Sequence, residues 1–277
     1  MDGIILIDKE KNLTSRDVVN QICKKMNTKK VGHTGTLDPL ATGLLVICVN
    51  EGCKLVEMLT HQDKEYIAKV KLGIKTDTYD ITGNILEENS NYIINKELLE
   101  KTLASFVGKY DQEVPIYSSV KVNGKKLYEY ARNDIPVELP HHLVEISKIE
   151  LLNLEKDNFT FKVSVSSGTY IRSLINDIGK KMNILMTMEE LRRTRVGNFN
   201  INDACSLNNL KIIPIIDALK IPKIELDLSV EKKVLNGAKI KNIYDNDTIL
   251  FIKNNRPVAI YQSNGDIMKS YRVFINR

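Results

Sequence analysis

The chain has 277 residues, of which 43% are hydrophobic and 27% charged, a globular balance long enough for one large domain or a large one with a small companion; disorder and fibrous repeats are excluded. No run approaches the ~18 consecutive apolar residues of a membrane helix, and the Met1-Asp2-Gly3-Ile4 start lacks the basic-then-apolar pattern of a secretion signal, so a cytoplasmic protein is expected. Net charge is a modest +5, Cys23, Cys48, Cys53 and Cys205 form no CxxC pair, and His33, His61, His141 and His142 fall at no zinc-ligand spacing, which predicts free thiols and no structural metal.

Residues 3–8 are a continuous apolar run of strand length. Thr14-Ser15 then offers a cap to a helix with Val18, Val19, Ile22, Cys23 and Met26 on one face. Residues 32–43 are too rich in glycine and small polar residues for a core element and form a shaped loop, followed by a buried strand at 44–49 and an alternating, half-buried one at 64–72. Residues 95–107 read as a helix through Leu98, Leu99, Leu103 and Phe106, and Ser119-Val120-Lys121-Val122 runs into an Asn123-Gly124 turn. Two long alternating runs, 143–154 and 159–166, flank Lys156-Asp157-Asn158 and predict a hairpin. A further amphipathic helix turns Ile171, Leu174, Ile175, Ile178 and Met182 inward. This irregular order of strands and helices favours an α+β fold over βαβ winding.

Residues 212–224, with Pro214 and Pro222, separate this body from the chain end, where 247–253, 257–261 and 267–275 read as three short strands joined by Asn254-Asn255 and Asn264-Gly265 turns. A chain ending near Lys220 is therefore expected to fold on its own. Residues 223–277 carry ten Lys and Arg against six Asp and Glu, a net +4, which leaves +1 for the first 222. Such an appendage suits a polyanion-binding arm, because cations laid along phosphates release counterions. Chance clustering on a solvated surface is the plainer reading of the charge alone.

The loop Gly32-His33-Thr34-Gly35-Thr36-Leu37-Asp38-Pro39-Leu40-Ala41-Thr42-Gly43 contains neither GxxxxGK nor GxGxxG, so neither nucleotide fingerprint fits. It holds one carboxylate, Asp38, followed by Pro39, on a backbone whose glycines permit close approach of another chain segment. Local features leave open both a substrate-facing aspartate and a plain Asp-Pro turn.

Taken together, five ordered motifs resemble the bacterial tRNA pseudouridine-55 synthases, the TruB family. GHTGTLDPLATGLL is similar to that family's active-site motif, and Lys64-Glu65-Tyr66, Leu72-Gly73 and Thr76-Asp77-Thr78-Tyr79-Asp80-Ile81-Thr82-Gly83 to its second. Residues 112–121, with Gly124 and Leu127-Tyr128-Glu129-Tyr130-Ala131-Arg132, resemble its RNA-contacting segment, and residues 167–174 and 191–199 complete the set. Two departures stand out. The family opens with DKPxGxTS, whereas Asp8-Lys9-Glu10-Lys11-Asn12-Leu13-Thr14-Ser15 lacks the proline and the glycine, and Val114-Pro115 stands where the family has two prolines.

The resemblance implies an α+β pseudouridine synthase catalytic domain with a mixed, largely antiparallel central sheet over 1–222, and a small, basic, β-rich PUA-like RNA-binding module over 223–277. The implied reaction breaks the N-glycosidic bond of uridine 55 in the tRNA T-loop, turns the base and rejoins it through carbon, with no cofactor and no metal. Asp38 is implied as the catalytic aspartate, and attack on the sugar, attack on the base and removal of a ribose proton are not distinguished. Arg172 is implied as its partner through paired hydrogen bonds, Tyr66 as the ring stacked on the target base, and Tyr170 and Leu191 as pocket lining. His33 is implied to fill or prop the space that the extruded base leaves. Lys29, Lys30, Arg192, Arg193 and Arg195 are candidate phosphate contacts, each also readable as an ordinary solvated charge. The expected partner is the tRNA T-arm stem-loop, bound by a monomer with no obligate protein partner and no membrane. Competing readings are a guide-RNA-dependent pseudouridine synthase and a non-catalytic RNA-binding or RNA-folding factor.

Overall fold

The computed structural model describes residues 2–274, so Ile275 of the third expected tail strand lies outside the described residues. The main sheet is built from β1 (Gly3–Lys9), β2 (Val31–His33), β3 (Thr42–Val49), β4 (Lys64–Leu72), β5 (Gly108–Glu113), β6 (His141–Leu154), β7 (Asn158–Val165), β8 (Met186–Val196) and β9 (Ile213–Pro214). Its order is β9-β1-β3-β8-β4-β7-β6-β5, with β2 beside β3 and the short Phe199–Asn200 strand beside β8. All pairings are antiparallel except β3 with β8, so the sheet is mixed and largely antiparallel, in an α+β fold. The longest helices beside it are α1 (Ser15–Lys25), α2 (Lys96–Ala104) and α3 (Ile171–Met182). Thr14 caps α1 in a reciprocal box with Asp17, and Val18, Val19 and Ile22 form the buried stripe.

The apolar pattern of each strand follows from how many of its faces are covered. In β1, Ile5 and Ile7 join the core under the helices, while Ile4 and Leu6 join a second cluster on the opposite face. In β3, Leu45, Ile47 and Val49 face the helices while Leu44, Val46 and Cys48 face the second cluster, which is why both strands read as unbroken apolar runs. In β4, buried positions alternate with half-buried ones, so its sequence alternates as well.

Alternation does not announce β8, the strand at the centre of the sheet. Two register shifts, at Met188/Glu190 and Arg193/Arg195, break its period-two pattern, and four charged residues lie between Glu189 and Arg193.

A second, five-stranded sheet occupies the chain end: β10 (Lys223–Glu225), β11 (Ile240–Lys241), β12 (Thr248–Lys253), β13 (Arg256–Asn264) and β14 (Ile267–Val273), in the order β10-β12-β13-β14-β11. It also holds a helix, α4 (Leu228–Leu235). The segment 212–224 is no spacer, contrary to the sequence expectation. β9 pairs with β1, and Ile215, Ile216 and Leu219 are buried with Leu250, Ile260 and Phe274 against Ile4, Leu6, Val46 and Leu55. Pro214 tolerates this place because β9 is an edge strand, which needs no second hydrogen-bonding partner. All four cysteines are free thiols.

Candidate active site

The loop between β2 and β3 is held from several sides. Ser15, the first residue of α1, donates from Oγ to the Leu37 carbonyl (3.1 Å) and accepts the Leu37 N–H (2.9 Å). The Asn12 N–H donates to the Pro39 carbonyl at 2.8 Å, and the Ala41 N–H closes a turn on the Asp38 carbonyl. Leu37, Leu40 and Ala41 are buried beneath. Asp38 is thereby fixed on a taut loop, with its carboxylate only 38% exposed. Downstream, Gly43 has φ +99°, and a Cβ there would stand 2.3 Å from the Arg193 carbonyl, so glycine is what lets β3 and β8 approach as a parallel pair.

Asp38, Tyr66, Tyr170, Arg172 and Leu191 line one cleft of about 590 Å3, so five of the six site residues expected from sequence come together. Arg172, on the first turn of α3 and nearly buried, approaches the Asp38 Oδ2 through Nε at 3.0 Å. Its other two nitrogens do not complete a fork on the carboxylate. Nη1 donates to the Thr78 carbonyl and Nη2 to the Tyr117 carbonyl, each at 3.0 Å. The expected paired hydrogen bonds are thus replaced by a three-way tie joining Asp38 to two of the other motifs. Tyr66 projects inward from β4 with Ala68, Val70 and Leu72, and burial pushes the Tyr170 hydroxyl above its usual pKa.

His33 does not line this cleft. It ends β2, its Nδ1 accepts the Gly35 N–H at 3.3 Å, and burial, reinforced by Arg193, pushes its pKa down so that the ring is neutral near pH 7.

Lys64 and Arg193 carry more of the site than their sequence reading assigned. Lys64 is buried on the cleft wall and donates to the carbonyls of Thr60 (2.8 Å) and Gln62 (2.6 Å) and to Ser167 Oγ (3.3 Å). Burial, with Arg193 adding to it, lowers its pKa to about 8. The signal was present, since Lys64 has the same parity as Tyr66, Ala68 and Val70 along β4. Arg193 is 1% exposed and donates to the carbonyls of Leu44 and Gly35, so it braces the loop from within and is closed to phosphate. Arg192 is paired with Asp8 at 2.7 Å and Arg195 with Asp63 at 2.7 Å. Lys29 and Lys30 lie elsewhere, in a groove of about 950 Å3 between the two sheets that Arg256 also lines.

Chemically, the cleft offers one carboxylate, Asp38, oriented by the Arg172 guanidinium, among the rings of Tyr66, Tyr117, Tyr128 and Tyr170 and aliphatic side chains such as Leu191. That set suits a flat, uncharged ring placed against a nucleophile or base.

The sequence matches two family models. Residues 23–171 match the N-terminal domain of the TruB family pseudouridylate synthases, and residues 172–217 the C-terminal domain of tRNA pseudouridylate synthase B. A tRNA pseudouridine synthase B of Clostridium kluyveri is 40% identical over 290 residues, covering 99% of this chain and 100% of that one. One of Caldicellulosiruptor saccharolyticus is 43% identical over 281 residues, covering 97% of each. Among solved structures, a Cbf5-Nop10-Gar1 complex matches with a TM-score of 0.74 at 24% identity, covering 99% of this chain and 85% of that one, a likeness of fold.

Proposed function

The chain belongs to the TruB family of pseudouridylate synthases and isomerises uridine in tRNA, and from that premise we propose that it acts on uridine 55 of the T-loop with Asp38 as its catalytic residue. The observation that carries this reading is the Asp38–Arg172 ion pair, set in a cleft lined by Tyr66, Tyr170 and Leu191. Full-length relatives at about 40% identity favour it over a guide-RNA-dependent synthase or a non-catalytic RNA-binding factor.

Isomerisation breaks the bond from ribose C1′ to base N1 and forms one from C1′ to C5. N1 gains a proton in the course of the reaction and C5 loses one. Asp38 supplies the carboxylate for nucleophilic attack or for proton removal, and Arg172 aims it. The target base, once extruded from the T-loop, stacks on Tyr66, with Tyr170 and Leu191 closing the pocket around it. His33, held just behind the loop, takes the role of a neutral prop where the base has left. The second sheet, with its surplus of Lys and Arg, acts as an RNA-gripping module on phosphates. The enzyme works as a monomer in the cytoplasm, on tRNA alone.

The test is to incubate wild type and Asp38→Asn with an unmodified T-arm stem-loop and to map pseudouridine. Wild type should convert the position equivalent to 55. Asp38→Asn should lose turnover by at least about 1,000-fold while keeping RNA affinity within about tenfold, since one isosteric change removes the reacting charge and few contacts. Substantial turnover by the variant would remove Asp38 from the chemistry, and modification at another position would overturn the assigned target.

A further inference from the structure

Gln112 belongs to the sequence motif resembling an RNA-contacting segment, yet it lies on β5 with its side chain turned away from solvent and is 1% exposed. Its amide embraces a single peptide group. The Tyr170 N–H donates to Oε1 at 2.8 Å, and Nε2 donates to the Tyr170 carbonyl at 3.1 Å. The side chain therefore pairs with Tyr170 through both donor and acceptor, as a neighbouring strand would. The second Nε2 proton goes to the hydroxyl of Tyr110, two residues away on the same face of β5. This pattern fixes the amide's orientation, because the flipped amide would set two carbonyl oxygens, and two N–H groups, against each other.

Tyr170 is the N-cap residue of α3 and has no side-chain capping bond of its own. Its carbonyl also accepts the Leu174 N–H at 3.0 Å, the hydrogen bond that opens the helix. Arg172 sits on that first turn and Tyr170 itself lines the cleft. We infer that Gln112 is a positioning residue of this enzyme: by clamping the Tyr170 peptide it sets the start of α3, and so the place at which Arg172 meets Asp38. This rests on the reading of Asp38, Tyr170 and Arg172 as the active site. A misplacement of about 1 Å can cost on the order of 100-fold in rate even when the displaced group never touches substrate.

Three variants test this by single-turnover isomerisation of T-arm RNA, with RNA affinity and thermal denaturation measured in parallel. Gln112→Leu removes all three hydrogen bonds of the amide at similar volume and should slow the chemical step by about 30- to 100-fold, with RNA affinity changed by less than about threefold. Gln112→Glu keeps the acceptor for the Tyr170 N–H but turns a carboxylate towards the Tyr170 carbonyl. Protonation restores a donor, so its rate relative to wild type should climb as pH falls from 8 towards the carboxyl range of about 4 to 5. Tyr110→Phe loses only the outer contact and should stay within about threefold of wild type.

A merely structural glutamine would regain rate only in step with thermal stability, whereas a positioning residue regains it in protein that is folded at every pH measured. Gln112→Leu turning over within threefold of wild type, or a Gln112→Glu to wild-type ratio flat with pH, overturns the inference even if Gln112→Leu fails to fold. With wild type active and Asp38→Asn inactive, those results sink Gln112 alone. An inactive wild type would sink the reading of the reaction as well.

Discussion

Arg172 divides its three nitrogens among Asp38, Thr78 and Tyr117, so its role is to lock two loops as much as to face a carboxylate. Lysine is a point charge on a flexible stem and cannot reach three acceptors in one plane. Arg172→Lys should therefore lose turnover by more than about 100-fold and also loosen residues 76–83 and 115–119, seen as faster amide exchange there. Near-normal turnover would mean that the guanidinium does not orient Asp38. Lys9 supplies a second charge effect. It is fully buried, its Nζ donates to the carbonyls of Glu10 (2.9 Å) and Leu13 (2.7 Å), and burial lowers its pKa from 10.5 to about 8, with Asp38 opposing the shift. Between those two pH values the unfolded chain holds a proton that the folded chain has released, so the Lys9 contribution to stability rises with pH across that window. Urea denaturation of wild type and Lys9→Met at pH 8 and pH 10 should show the difference moving in favour of wild type. A difference independent of pH would contradict burial of the ammonium.

The strand β1, the helix α1 and the loop between them explain how the chain manages without the proline and glycine its family uses there. Asn12 occupies the glycine's position with φ +69°, a conformation that asparagine tolerates better than most residues, and its N–H is the one that reaches the Pro39 carbonyl. Asn12→Gly should leave stability within about 0.5 kcal/mol, whereas Asn12→Val should cost about 1 to 2 kcal/mol in urea denaturation. Equal cost for both would show that the left-handed backbone is not what matters. Elements of this kind were legible in advance, because Thr14 and Asp17 form a local cap and the 156–158 turn joins strands adjacent in sequence. Asp38 and Arg172 were legible as partners only through the motif match, since 134 positions separate them and no local pattern links them. β8 and the segment 212–224 were not legible. The strand carries charges that are satisfied by distant carbonyls and carboxylates, and the segment has the composition of a linker until the sheet at the chain end covers it. Gln112 escaped for the same reason, as its partner lies 58 residues away.

Across the whole molecule, the second sheet completes the core of the first. Leu250, Ile260 and Phe274 cover Ile4, Leu6 and Val46, and Lys54 donates to the Val273 carbonyl at 2.7 Å. Ending the chain near Lys220 should therefore not yield a folded body with weaker RNA binding, as the sequence suggested. It should yield a protein that binds a hydrophobic dye and lacks a cooperative thermal transition, because several large apolar side chains would face water at about 25 cal/mol per Å2. A sharp transition in that truncation would restore the two parts as independent. The RNA-binding role of the module is better tested by reversing the exposed Lys239, Lys241 and Lys269. Removing one phosphate interaction should flatten the log–log salt slope by roughly 0.7 to 0.9, and an unchanged slope would make these lysines plain solvated charge. The same shared cluster bears on how the protein is made. Along the chain, 270 positions separate Ile4 from Phe274, so synthesis delivers one long before the other. At ~5–20 residues per second, synthesis leaves the outer face of β1 without its full cover for roughly ten seconds to a minute. Until the second sheet emerges, the nascent chain must carry an apolar surface that its earlier segments cover only in part.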